Sequence, residues 1–93
     1  MRQIDFTKSA EKSLRKLAES DQRIARQIKV KLLALLQEPQ PQESLKMVGN
    51  PEYLRVRVGK YRIIYRFDDA KLYIVLIAKR EIVYEEFARL MHR

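Results

Sequence analysis

The chain has 93 residues, enough for one domain with a single modest core, expected to span residues 1–93. It has no cysteine and one histidine, which excludes disulfide stapling, thiolate chemistry and any ordinary His- or Cys-based zinc site. A net charge of +8 and an isoelectric point near 10.0 point to an acidic partner, with nucleic acid or an acidic protein ahead of anionic lipid.

No apolar run approaches membrane-spanning length, and the first residues lack the apolar core of a signal peptide. Lipidation signals and a membrane-facing basic helix are also missing from the sequence, so a cytoplasmic protein with no membrane contact is expected. Residues Arg2 to Phe6 alternate, with Ile4 and Phe6 on one side, and read as a short strand. Thr7 is placed to N-cap a helix whose apolar positions are Ala10, Leu14, Leu17 and Ala18. Ser20 or Asp21 then caps a second helix carrying Ile24, Ile28, Leu32, Leu35 and Leu36 on one stripe. So short a connection predicts an antiparallel helical hairpin, ended by Pro39 and Pro41. Residues 38–52 read as a loop, broken by three prolines, Gly49 and Asn50, with Leu45 and Met47 tucked against the core.

The most regular stretch is Tyr53 to Arg66. Leu54, Val56 and Val58 alternate with Arg55 and Arg57; Tyr61, Ile63 and Tyr65 alternate with Arg62, Ile64 and Arg66. Gly59-Lys60 between the two runs suits a type II′ hairpin turn, with Gly at the first central position. A two-residue turn pairs Val58 with Tyr61, Arg57 with Arg62, Val56 with Ile63 and Arg55 with Ile64, which gathers the apolar partners on one face. The other face then holds Arg55, Arg57, Arg62 and Arg66, with Ile64 its one apolar member. Like charges set directly opposite destabilise a sheet by a few tenths to roughly 1 kcal/mol per pair. Long side chains splaying into solvent would tolerate this. A site built for a polyanion, whose phosphates relieve the repulsion, accounts better for its repetition.

Asp68-Asp69-Ala70-Lys71 reads as a second turn, leading into Leu72 to Ala78, apolar on both faces as in a well-covered strand. If Phe67 pairs with Leu72, Arg62 lies opposite Ile77 and Lys60 opposite Lys79. Val83, Phe87, Leu90 and Met91 form the stripe of a last helix. The predicted architecture is α+β: an N-terminal strand, an α-helical hairpin, a three-strand antiparallel meander and a C-terminal helix.

Two segments then carry a resemblance. Leu54-Arg55-Val56-Arg57-Val58-Gly59-Lys60-Tyr61-Arg62-Ile63-Ile64-Tyr65 is close to the Arg-x-Arg-x-Gly-x-Tyr-Arg-x-x-Tyr pattern of the RelE/ParE toxin superfamily. Ala78-Lys79-Arg80-Glu81-Ile82-Val83-Tyr84 is similar to its Gly-His-Arg-x-x-x-Tyr ending. The element order matches over nearly the whole chain. These are the toxins of toxin–antitoxin pairs, and the one fold hosts both ribosome-dependent mRNA endonucleases and gyrase poisons.

The RelE-like branch implies cleavage of mRNA in the ribosomal A site, by attack of a ribose 2′-OH on its neighbouring phosphate, with no metal or other cofactor. Carried over by position, the resemblance puts the catalytic roles on Arg62, Arg80 and Tyr84. RNA or phosphate binding falls to Arg55, Arg57, Lys60, Arg66 and Lys79. The family's two lysines fall on Arg55 and Arg57, and arginine keeps its proton at any working pH, so neither can be the general base. Tyr84 is the candidate base, on one side of a helical turn with Arg80; Glu81 and Glu85 are the alternatives. His92 lies too near the end for an assigned role. Two other readings are a ParE-like toxin that inhibits DNA gyrase by binding alone, and a degenerate toxin or plain RNA- or ribosome-binding module. The resemblance implies a cognate antitoxin as partner in each case, with an acidic or amphipathic segment that covers the basic face and displaces the last helix.

Overall fold

In the computed structural model, which describes residues 2–92, eight elements follow one another. They are β1 (Gln3–Phe6), α1 (Lys8–Ser20), α2 (Gln22–Gln37), β2 (Leu45–Met47), β3 (Asn50–Val58), β4 (Tyr61–Phe67), β5 (Lys71–Lys79) and α3 (Arg80–Met91). The strands form one sheet in the order β1-β5-β4-β3-β2, antiparallel except for the parallel pair β1–β5. The helical hairpin α1–α2 covers one face and α3 crosses the other. The expected strand, helical hairpin, meander and terminal helix are all present.

Both helix starts are capped from the sequence positions that propose themselves. Thr7 Oγ1 accepts from the Ala10 amide at 3.0 Å, and the Asp21 carboxylate accepts from the Ile24 amide at 3.2 Å. Each such cap is worth about 1 kcal/mol. The stripes of α1 and α2 meet the sheet through Ala10, Leu17, Ala25, Ile28, Leu32 and Leu35, against Leu54, Val56, Val58, Ile63, Tyr65, Leu72, Ile74 and Ile77. Fully burying an aliphatic side chain of this size contributes about 1.5–3 kcal/mol, so this layer carries most of the fold's stability. Tyr65 is wholly buried, and its hydroxyl donates to the Pro39 carbonyl at 2.7 Å, which pins the segment leaving α2. Burial pushes the Tyr65 phenol up to about 12.

The β3–β4 register is the one the turn length predicts: Val58↔Tyr61, Arg57↔Arg62, Val56↔Ile63, Arg55↔Ile64. Gly59 has φ +59 and no other residue of the turn has positive φ, as a type II′ turn requires. A Cβ at Gly59 would also meet Ile24 Cδ1 at 3.2 Å, so the turn lies directly against α2.

Three expectations are corrected. Residues 38–52 are not all loop: β2 pairs with β3 through Leu45↔Arg55 and Lys46↔Leu54, and Gly49 (φ +81) turns the chain between them. Leu-Lys-Met is too short for its alternation to stand out against the flanking breakers. Within β2, Met47 is buried as expected, whereas Leu45 stays 54% exposed. The β4–β5 register also shifts by one between Ile64 and Tyr65, so Arg62 faces Ala78 and not Ile77, and Tyr61, not Lys60, faces Lys79.

The bulge has a cause in packing. Val75 and Leu76 both turn toward α3, while Ile74 and Ile77 face the helical hairpin. A continuous strand would put two of those four on the wrong side. Thr7 holds the irregular backbone in place: its amide donates to the Ile74 carbonyl at 3.0 Å and its hydroxyl to the Val75 carbonyl at 2.7 Å.

Candidate functional site

The basic face lies opposite the helical hairpin, but α3 shares it. Ile64, the apolar residue among the arginines of the β3–β4 hairpin, is fully buried beneath α3 with Val75, Leu76, Ala78, Val83 and Phe87. Tyr53 packs edge-on to Phe87 with ring centroids 5.2 Å apart, fixing how α3 crosses the strands. The crossing leaves the β3–β4 hairpin tip uncovered, and the first turn of α3 stands beside it. One backbone bond ties the two together, from the Arg80 amide to the Lys60 carbonyl at 2.9 Å.

Two adjoining clefts open there. The first, about 380 Å³, is lined by Arg57, Gly59, Lys60, Arg62, Lys79, Arg80 and Glu81. The second, about 340 Å³, is lined by Glu43, Leu45, Arg55, Val56, Arg57, Arg62 and Tyr84. Arg57 and Arg62 belong to both and form the ridge between them. Seven of the eight residues singled out from the sequence therefore converge on one end of the sheet.

The eighth does not. Arg66 lies at the opposite end of β4, with its guanidinium 4.0 Å from the centre of the Tyr73 ring. The Tyr73 hydroxyl donates to Asp68 at 3.3 Å. Backbone amides of Lys71 and Ala70 hold the Asp68 carboxyl below its usual range, with help from Tyr73 and Arg66. Arg66 is part of the fastening of the β4–β5 turn.

The facing arginines neither splay apart nor meet an acid. Arg57 Nε donates to the Gly59 carbonyl at 3.3 Å, and Arg62 Nη1 donates to the same carbonyl at 3.2 Å and to Tyr61 O at 3.0 Å. One turn carbonyl thus sits between two guanidinium groups and offsets part of their repulsion. Among the described residues no ion pair engages Arg55, Arg57, Lys60, Arg62, Lys79 or Arg80. The N-terminal end of α3 adds positive potential, since Lys79 gives no side-chain cap to its first amides. The ensemble is suited to a phosphodiester: several donors, a helix terminus and little competing negative charge.

Tyr84 is 39% exposed at the rim of the second cleft. Its packing partner is one the sequence reading missed: the Arg55 guanidinium lies 5.3 Å from the ring centre. Of the alternative acids, Glu81 lines the first cleft, while Glu85 is exposed and paired with Arg89 at 3.3 Å.

Glu43 and Leu45 were also missed, because they belong to the stretch read as loop. Glu43 accepts from Lys31 Nζ at 3.1 Å, and a backbone hydrogen bond together with Lys31 holds its carboxyl below the usual range. The pairing Leu45↔Arg55 is the signal that would have found them, and it becomes visible only once β2 is recognised as a strand. Among the described residues no helix is long and apolar enough to cross a membrane.

Comparison with known proteins gives the chain's family. The sequence matches the family described as ParE toxin of type II toxin–antitoxin system, parDE, over residues 4–84. No curated protein matches the chain. Among solved structures, a doubly substituted E. coli toxin RelE in the free state is 26% identical, with a TM-score of 0.75 and 95% of each chain covered. The intact E. coli RelBE toxin–antitoxin complex gives 25% identity and a TM-score of 0.73, covering 85% of this chain and 96% of that one. The YoeB/ParE toxin from Agrobacterium tumefaciens shares the fold at 15% identity, with a TM-score of 0.75 over 84% and 98% of the two chains. The chain belongs to the RelE/ParE superfamily, as a ParE-family toxin of type II toxin–antitoxin systems.

Proposed function

We propose that this toxin is a metal-independent endonuclease acting on mRNA bound to the ribosome. The observation that carries the reading is the convergence of Arg55, Arg57, Arg62 and Arg80 with Tyr84 on two clefts that share a ridge. Cleavage by the neighbouring 2′-OH forms a P–O2′ bond, breaks the P–O5′ bond, and leaves a 2′,3′-cyclic phosphate and a 5′-hydroxyl. It needs a proton acceptor, a stabiliser for the charge gathering at phosphorus, and a partner for the departing oxygen.

Arg62, on the ridge, clamps the phosphate and stabilises its transition-state charge. Arg55 and Arg57 bind the backbone alongside, with Lys60 and Lys79 adding charge at the hairpin tip. Arg80, at the first turn of α3, stabilises the charge on the leaving O5′, which takes its proton from water to become the 5′-hydroxyl. Tyr84 accepts the 2′-OH proton, with the Glu81 carboxylate in the neighbouring cleft as the alternative base. Arg66, stacked on Tyr73 at the other end of β4, takes no part in this step. The partner that silences the toxin is a cognate antitoxin with an acidic segment, for which the arginine-rich face is the complement.

One observation favours a second reading. The matching family is the ParE toxins, and arginine in place of both lysines removes the obvious bases from β3. A toxin that binds DNA gyrase and performs no chemistry would tolerate that exchange. Primer extension on cellular mRNA after induction separates the two. Breaks within ribosome-bound reading frames are expected. Intact mRNA together with blocked DNA supercoiling by purified gyrase would establish the ParE-like activity instead.

A further inference from the structure

The second cleft is not uniformly basic. Arg55, Arg57 and Arg62 line it together with Leu45, the cross-strand neighbour of Arg55 on β2, and Glu43 from the segment before β2. Leu45 and Met47 lie on the same face of β2, yet Met47 is 6% exposed in the cluster beneath α3 while Leu45 is 54% exposed and outside that cluster. Single exposed leucines are ordinary on protein surfaces. This one lies in a cleft with a half-exposed tyrosine ring, next to unpaired guanidinium groups.

Glu43 is also unusual in its setting. It lines the same cleft as three arginines but pairs with Lys31 on α2, at 3.1 Å. The Lys31 ammonium uses one of its oxygens, and a carboxylate has lone pairs to spare. The Pro39 carbonyl anchored by Tyr65 and the Ser44 hydroxyl donating to the Pro41 carbonyl at 2.7 Å hold the segment carrying this acid. The result is an apolar side chain and an acceptor in the same cleft as the phosphate-binding arginines.

We propose that Leu45 and Glu43 form a nucleobase subsite, in which the base next to the bound phosphate packs on Leu45 and donates an exocyclic amino hydrogen to Glu43. The proposal rests on the reading of the cleft as an RNA site and adds a preference to it. Phosphate contacts position a strand and carry no sequence information; base-edge contacts do. Cytosine offers an amino donor where uracil offers a carbonyl oxygen, and a carboxylate accepts from the first and repels the second. The volume of about 340 Å³ accommodates a pyrimidine nucleotide with room for its sugar.

The test needs neither ribosomes nor cleavage. The full chain, with leucine methyl groups labelled with carbon-13, is titrated with ribose 5-phosphate, uridine 3′-monophosphate and cytidine 3′-monophosphate. Leu45→Ala assigns the Leu45 methyl signals and, at an exposed edge position, leaves the fold intact. Both nucleotides should bind roughly fivefold or more tightly than ribose phosphate, the low end of what one packed base contributes. They should shift the Leu45 methyls, and Leu45→Ala should lose that gain. Cytidine should exceed uridine by about fivefold, a margin that Glu43→Gln removes because the amide can donate as well as accept.

Equal binding of nucleotides and ribose phosphate, or a gain that survives Leu45→Ala, would overturn the subsite while leaving the phosphate-binding arginines standing. A cytidine preference unchanged in Glu43→Gln would remove Glu43 from it. No binding of any of the three ligands would count against the RNA reading of the whole cleft.

Discussion

Arg62→Ala separates what the arginine ridge does for stability from what it does for activity. The substitution removes hydrogen bonds to Tyr61 O at 3.0 Å and Gly59 O at 3.2 Å. Such bonds are worth about 0.5–1.5 kcal/mol each when the acceptor is shielded. Here the turn is exposed, so water replaces the lost donor, and Arg57 Nε keeps its bond to Gly59 O at 3.3 Å. Against that loss stands the relief of the Arg57–Arg62 repulsion, a few tenths to roughly 1 kcal/mol. The two effects nearly cancel, and urea denaturation should place the variant within about 1 kcal/mol of the parent.

Activity should respond quite differently. A donor aimed at developing charge is typically worth about 10²–10³-fold in rate. Single-turnover cleavage on programmed ribosomes should fall by that factor, and growth arrest on induction should disappear. Arg62→Lys should recover only part of the rate, because an ammonium keeps the charge but loses the planar fork. A folded Arg62→Ala protein that arrests growth like the parent would refute the assignment of Arg62 to the site. A loss of stability well beyond about 2 kcal/mol would show that the ridge serves to brace the turn.

Two further predictions rest on single oxygens. Tyr84→Phe keeps the ring beneath Arg55, whose guanidinium lies 5.3 Å from its centre. Polyanion binding and its salt dependence should therefore persist while single-turnover cleavage falls by about 10²–10⁴-fold. A 2′-deoxy substrate should resist even the parent. Equal cutting by parent and variant would discard Tyr84 as the base and leave Glu81 to be tested. For Tyr65, burial raises the phenol to about 12 from an ordinary 10.0. Its contribution is fully present below the lower value and is lost as pH rises through the upper one. Parent stability should thus drop more steeply between pH 10 and 12 than that of Tyr65→Phe, which instead costs about 1–2 kcal/mol at neutral pH by leaving the Pro39 carbonyl without its donor. Parallel pH profiles for the two proteins would contradict this.

The local part of this fold was legible in the sequence because local sterics decide it. A glycine that can take φ +59, two residues of turn and strict alternation on either side leave the β3–β4 hairpin one register that buries its apolar side chains. Thr7 and Asp21 cap their helices for the same kind of reason, since an N-cap needs only its own next turn. That is why Arg57 and Arg62 could be set face to face from the sequence, and the RelE/ParE kinship stated from the segments around them.

Contacts between distant segments had to be decided by the tertiary structure. The bulge at Val75 exists because two layers, one under the helical hairpin and one under α3, compete for the residues of a strand apolar on both faces; alternation is silent where both sides are buried. It moved Arg62 from Ile77 to Ala78 and separated Lys60 from Lys79. Arg66 has the same strand parity as Arg62 but lies beyond the crossing of α3, and period two cannot express position along a strand. The place of Glu43 and Leu45 in the second cleft depends on β2, whose three residues carry too short a pattern to announce a strand until β3 is beside them. The chain thus encodes its basic ridge locally. The company that ridge keeps is set by long-range packing, which no single stretch of sequence contains.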